Sequence, residues 1–284
     1  MVTLSPTKRE RVYIDDDPRV VPLLPPTLQT VEAAVRLDGV GKVFSGRGGR
    51  KGGGRAVPAL DTVSLSVAPG EFVCLLGASG CGKSTLLNLI SGLDQPTSGT
   101  LTVAGRPALM FQEAALFPWL TAGQNVSLAL KYAGVAKADR RARVEQLLEL
   151  VRLGGTADRR VHELSGGQRQ RVSLARALAQ DGTVLLMDEP FAALDAITRD
   201  VMHDELTRVW KETGNSVVFV THNVREAVRL GQRVVLLSSR PGRVVGEWQV
   251  AIPGPRTIEH PEVSALAAEI TVRLREEIAS HAGA

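Results

Sequence analysis

The residues whose types and spacing could do chemistry fall in two places. Gly77, Gly82, Lys83 and Ser84 satisfy the spacing G-x-x-x-x-G-K-[ST], with Ala78, Ser79, Gly80 and Cys81 between the glycines and Thr85 after them. In that pattern the glycines let backbone N–H groups curl inward around the phosphates of a nucleotide. The helix that follows points its positive end at them, Lys83 adds a mobile point charge, and Ser84 offers a hydroxyl to Mg²⁺. Further along, Asp188 and Glu189 close the apolar run VLLMDE. Asp188 can hold Mg²⁺ through water, while Glu189, left free of the metal, can orient or deprotonate an attacking water. Taken singly, the first string could be an ordinary turn and the second two surface acids; together they predict binding and hydrolysis of a nucleoside triphosphate.

Such residues work only if the right elements present them. Phe72 to Leu76 reads as a buried strand and Ser84 to Leu93 as a helix, which puts the glycine loop at a strand-to-helix turn. VLLMD, SVVFVTH and RVVLLSS read as three further apolar strands separated by helical segments, and this alternation predicts a parallel sheet covered on both faces. Before the loop, VRLDGVGKVF and LDTVSLSVAPG, and after it GTLTVAG, read as antiparallel strands lying beside that unit. From Glu113 to His162 the periodicity turns mainly helical, in TAGQNVSLALKYAG and KADRRARVEQLLELVRL, which predicts an inserted helical lobe over 113–163. Ser165 is placed to cap the helix that follows it.

Composition bounds the alternatives. A chain of 284 residues with 44% apolar content has ample material for a core, and no apolar run approaches the ~18 residues a membrane span needs. Residues 1–32, rich in Pro and charge, are expected to form an extended or disordered leader without the apolar core of a signal peptide, which places the protein in the cytoplasm. The net charge of +4 has a local origin, because Arg47, Arg50, Lys51 and Arg55 lie in the acid-free segment GRGGRKGGGR and the rest of the chain is balanced. No general nucleic-acid surface is expected on these grounds. Residues 46–54 are expected to be a mobile hairpin loop, with an RNA-contacting Arg-Gly tract as the sharper reading. Cys74 and Cys81 are expected to be free thiols, Cys81 reachable by an alkylating reagent and Cys74 shielded in its strand. The last 32 residues, 253–284, are expected to be a tail with an amphipathic helix, appended to the core.

The order of these motifs resembles the ATP-binding subunit of ATP-binding cassette (ABC) transporters over about residues 35–250. LSGGQRQR, Leu164 to Arg171, matches the family's signature. The resemblance implies a P-loop NTPase fold of the α/β class: a domain over 33–252 with a parallel sheet, an antiparallel β subdomain and an inserted helical subdomain. It carries an adenine-stacking aromatic onto Phe44, the Q-loop glutamine, also a metal ligand, onto Gln112, the D-loop aspartate onto Asp195 and the switch histidine onto His222. Alone, Phe44 could be core, Gln112 a surface amide and His222 a satisfied histidine at a strand end. The resemblance further implies two ATP molecules buried between two copies, or a copy and a paralogue. Ser165, Gly166, Gly167 and Gln168 of one subunit would meet the nucleotide on the other, where the helix start offers N–H groups to an anion.

Within the family the chain is similar to the nitrate/sulfonate/taurine import group through LFPWLT (116–121), MDEPFAALDAITR and SSRPGRVV (238–245). It departs in the basic Gly-rich insertion directly after Phe44 and in a short stretch from Gly105 to Phe111. The implied function is an ATPase at the cytoplasmic face of the membrane that powers uptake of a small anionic solute through a separate permease, fed by an extracytoplasmic solute-binding protein. A soluble family member acting on ribosomes or nucleic acid, and the ATPase of an exporter, are the alternatives. Leu116, Phe117, Trp119 and Leu120, stiffened by Pro118, would be core in an isolated domain; because Q-loops lie at the surface, they are expected to anchor a partner helix in part.

Overall fold

The computed structural model describes residues 33–45 and 56–282. The leader and the Gly-rich basic segment lie outside the described residues. Three strands, β1 (Val35–Phe44), β2 (Val57–Val67) and β4 (Ser98–Val103), form an antiparallel sheet in the order β2-β1-β4. Alternation of buried and exposed residues along β1 and β2 explains why this sheet covers the core with one face only.

The second sheet carries the site. Its strands β3 (Phe72–Leu76), β5 (Pro107–Met110), β6 (Val184–Asp188), β7 (Ser216–Val220), β8 (Arg233–Leu237) and β9 (Val244–Gln249) stand in the order β5-β6-β7-β3-β8-β9. The first five in that order pair in parallel, and β9 returns antiparallel to β8. β3, β7 and β8 are buried at every position, and apart from Ser216 and Arg233 at the starts of β7 and β8 they are apolar throughout, as strands of a sheet covered on both faces are. β5 and β9, the edge strands, lie outside the strands expected from the sequence: β5 is a four-residue run opened by Pro107, and Gly246 interrupts β9. The short stretch from Gly105 to Phe111 is thus largely strand, paired residue for residue with β6.

The sheet divides the interior. Phe72, Cys74, Leu76, Met187 and Phe219 face one apolar cluster with the helices α2 (Ala122–Tyr132), α3 (Arg140–Leu150) and α4 (Gly166–Leu178). Val73, Leu75, Leu186, Val218 and Val220 face another with α1 (Lys83–Ile90), β1 and β2. A strand's period of two puts neighbouring residues of β3 in different clusters. Two helices, α5 (Ala196–Thr213) and α6 (Val224–Leu230), connect β6 to β7 and β7 to β8.

The C-terminal helix α7 (Pro261–Ala282) is not an appendage: Val263, Ala267 and Ile270 are buried in the first cluster. It lies against α6, and its outer face keeps the charged residues, so the amphipathic pattern of this segment is used for packing. No helix among the described residues is long and apolar enough to cross a membrane.

Candidate active site

Parallel strands deliver their carboxyl ends to one edge of the sheet, and ligands of open α/β sheets bind in the crevice there. The loop 77–82 leaves β3, Asp188 ends β6, and Thr221 and His222 follow β7, which is hydrogen-bonded between those two strands. The three motifs therefore converge because the strand order is β6-β7-β3. A pocket of about 480 Å³ opens between the first two, lined by Phe44, Ser79, Gly80, Lys83, Ser84, Thr85, Gln112, Asp188 and Glu189; His222 does not line it and adjoins it only through its contact with Glu189.

The loop's glycines have individual reasons. Gly77 has no room for a Cβ, which would lie 2.5 Å from Cys81 Sγ, and Gly82, with φ +101°, would strike Leu60 and the Ala59 carbonyl. Gly82 lines the pocket, whereas Gly77, Ala78 and Cys81 do not. Lys83, buried, donates from Nζ to the carbonyls of Gly77 at 2.7 Å and Ala78 at 3.1 Å, so its charge is held within the loop. Cys81 is only 1% exposed, and burial pushes its thiol above the usual range. The reachable thiolate expected at this position is absent, because Cys81 points into the second apolar cluster and away from the cradle.

Asp188 accepts a hydrogen bond from Ser84; burial raises its carboxyl above the ordinary aspartate value, with Glu189 adding to the shift and Ser84 and Lys83 opposing it. Glu189 sits at φ +44°, left-handed backbone that costs a non-glycine residue about 1–2 kcal/mol. Its N–H donates to Val220 of β7, and its carboxylate meets His222 Nδ1 at 2.9 Å. At the other end of the pocket Phe44 exposes its ring, with Lys42 Nζ 5.1 Å from the ring centre. Lys42 is itself fixed by Asp94 at 2.6 Å.

Ser165, Gly166, Gly167, Gln168 and Asp195 do not line this pocket. Ser165 and Gln168 form a reciprocal capping box at the start of α4, and Asp195 caps α5 by accepting from the Thr198 N–H. A Cβ on Gly167 would lie 2.7 Å from Thr198, so close packing of these two helix starts also requires glycine there. Ser165 and Gly166 are exposed.

Three features make contacts that no motif announces. Arg240 lines the pocket and donates from Nε to the Gly80 carbonyl at 2.7 Å; in sequence it marked only the subgroup string SSRPGRVV. Fully buried His203 of α5 meets Glu226 at 2.6 Å, and the other oxygen of Glu226 accepts from Thr221, the residue before His222. Arg229 donates to His203 Nδ1 at 3.3 Å, so that nitrogen is the acceptor and Nε2–H the donor to Glu226. The third is Gln170, buried within α4 beneath the pocket.

A glycine loop at a strand-to-helix turn and a strand-end acid pair on one parallel run of strands, with a capped LSGGQ run at the start of α4, define an ATP-binding cassette ATPase. The comparisons agree: the chain belongs to the ABC transporter family, whose profile matches residues 60–192. It is 50% identical over 198 residues to the taurine import ATP-binding protein TauB of Burkholderia pseudomallei (strain 1710b), covering 67% of this chain and 76% of that one. It is 43% identical over 258 residues to the bicarbonate transport ATP-binding protein CmpC of Synechocystis sp. (strain ATCC 27184 / PCC 6803 / Kazusa), covering 86% of this chain and 38% of that one. Among solved structures, the dimeric ATP-binding cassette MJ0796 superposes with a TM-score of 0.65 at 33% identity, covering 77% of this chain and all of that one. The protein is an ATP-binding ATPase coupled to transport.

Proposed function

We propose that this chain is the nucleotide-binding subunit of an importer for a small anionic solute, working as a dimer beneath a separate permease at the cytoplasmic face of the membrane. The names of its relatives, taurine and bicarbonate import proteins, support an anion of sulfonate or carboxylate class. The observation that carries the ATPase reading is the contact of Glu189 with His222 at 2.9 Å beside the Ser84–Asp188 pair.

The residues divide the work by chemistry. The backbone N–H groups of 77–82 and Lys83 bind the phosphates, Thr85 continues the helix start beneath them, and Phe44 stacks on the base. Ser84, Asp188 and Gln112 present oxygen donors, the hard-ligand set that suits Mg²⁺. When bound, Mg²⁺ neutralises charge on the β- and γ-phosphate oxygens. Glu189 orients the attacking water and takes its proton, while His222 holds that carboxylate and faces the γ-phosphate. Ser165 to Gln168 and Asp195 serve the partner's nucleotide, in keeping with their place outside this chain's own pocket. The test is Glu189→Gln: ATP binding stays near normal and hydrolysis falls at least ~100-fold, with an ATP-bound dimer seen by size-exclusion chromatography. Undiminished hydrolysis would remove Glu189 from the role.

The permease is proposed to dock in a second groove of about 690 Å³, mostly apolar, lined by Leu93, Leu109, Phe111, Phe117, Leu128 and Tyr132. Trp119, 66% exposed and in ring contact with Phe117, stands beside it, while Leu116 packs inward against the core. An exposed aromatic next to an apolar groove suits an incoming amphipathic helix.

A further inference from the structure

Gln170 lies in the interior, 4% exposed, one helical turn inside α4 from the exposed LSGGQ residues. Its Nε2 donates to two backbone carbonyls, that of Gln112 at 3.0 Å and that of Pro190 at 2.5 Å. Both partners are carbonyls, which only accept, so the amide's orientation is fixed by chemistry. Its Oε1 is buried with no protein partner among the described residues.

The two carbonyls belong to the residue lining the pocket at the Q-loop and to the residue directly after Glu189. Glu189 holds its left-handed backbone between an N–H bonded to Val220 and a carbonyl accepting from Ala192, so the Pro190 carbonyl is the next fixed point along the chain. Farther along the Q-loop, Arg176, also on α4, donates to the carbonyls of Ala114 and Ala115, and Ala115 too has positive φ, +43°. One helix thus grips the Q-loop at two places and the Glu189–Pro190 backbone at a third. Strained backbone of this kind persists only when its surroundings over-determine it.

We propose that Gln170 is a positioning residue for Glu189: its amide makes the Q-loop and the backbone after Glu189 a single unit with α4, so that displacement of α4 is read out as placement of the carboxylate. This rests on Glu189 acting as the base, and the test separates the two. Gln170→Met and Gln170→Leu remove both donors while keeping an apolar side chain in place. Each is expected to lower kcat about 10- to 100-fold with the KM for ATP within about twofold, because misplacement of a reacting group lowers kcat while leaving binding intact. The melting temperature without nucleotide is measured on the same proteins. In a Glu189→Gln background, Gln170→Met is expected to leave residual hydrolysis unchanged, since a misplaced carboxylate that no longer exists cannot matter. An equal further loss in that background, an unchanged kcat in the single variants, or failure of both variants to fold would overturn the proposal. Undiminished hydrolysis by Glu189→Gln alone would instead overturn the reading it rests on.

Discussion

At the scale of the residue, Asp188 carries a cost that its function explains. Burial raises its carboxyl above the ordinary value of 3.8. A raised carboxyl means that the folded protein binds more protons than the unfolded chain between the two values, so stability falls as pH rises through that window and the penalty stands in full at neutral pH. Asp188→Asn is therefore expected to raise the melting temperature of the nucleotide-free protein at pH 7 by about 1–3 °C while abolishing hydrolysis with Mg²⁺. The same substitution below pH 4 should give no gain, and calorimetry over a pH series checks both. Neighbouring Glu189, in left-handed backbone and bonded to His222, likewise occupies a conformation that packing alone does not favour.

At the scale of the element, Trp119 gives the sharpest prediction. Phe117 and Trp119 are exposed and Leu116 is half-buried, so the LFPWLT string is split between groove and core. Trp119→Ala is expected to leave the melting temperature within about 2 °C and basal hydrolysis within about twofold, while weakening permease pull-down at least ~10-fold, as truncating an aromatic hot spot does. A large fall in melting temperature would make Trp119 a core residue. Elements were legible where they carried unbroken runs: β3, β6, β7 and β8 and the helix after Ser165 could be read because buried strands and capped helices leave local marks. β5 and β9 could not, since β5 is only four residues long and opens on Pro107, and Gly246 breaks the apolar pattern of β9. The contacts of Gln170, His203 and Arg240 are illegible for another reason, although Gln170 and Arg240 stand in the strings LSGGQRQR and SSRPGRVV: a polar residue acquires its partners only when distant segments meet. Cys81 was misread because the motif fixes where a residue stands in the loop but not which way its side chain turns.

At the scale of the whole molecule, α7 and α6 form one packed unit, α6 starting two residues after His222. Removing residues 253–284 would expose the surface that Val263 and Ile270 cover, worth about 3–6 kcal/mol by area and less once the helix's own ordering entropy is counted. The truncated protein is expected to melt about 3–10 °C lower, with the KM for ATP changed by less than about threefold. A melting temperature unchanged by the truncation would mean that α7 adds nothing to the fold.

The division of the interior by the sheet also sets a clock for amide hydrogen exchange. The side chains of β3 belong to both apolar clusters and its backbone is bonded to β7 and β8, so opening either cluster alone leaves its N–H groups protected. Only global unfolding frees them. The N–H groups of α3 depend on one cluster and can exchange by local opening that leaves the nucleotide in place. ATP at 100 times its Kd adds about 2.7 kcal/mol to global stability. In Glu189→Gln, which keeps its ATP, amides of β3 are expected to slow by up to about 100-fold and those of α3 to change little, as followed by mass spectrometry. Equal slowing in both would mean that the two halves open as one.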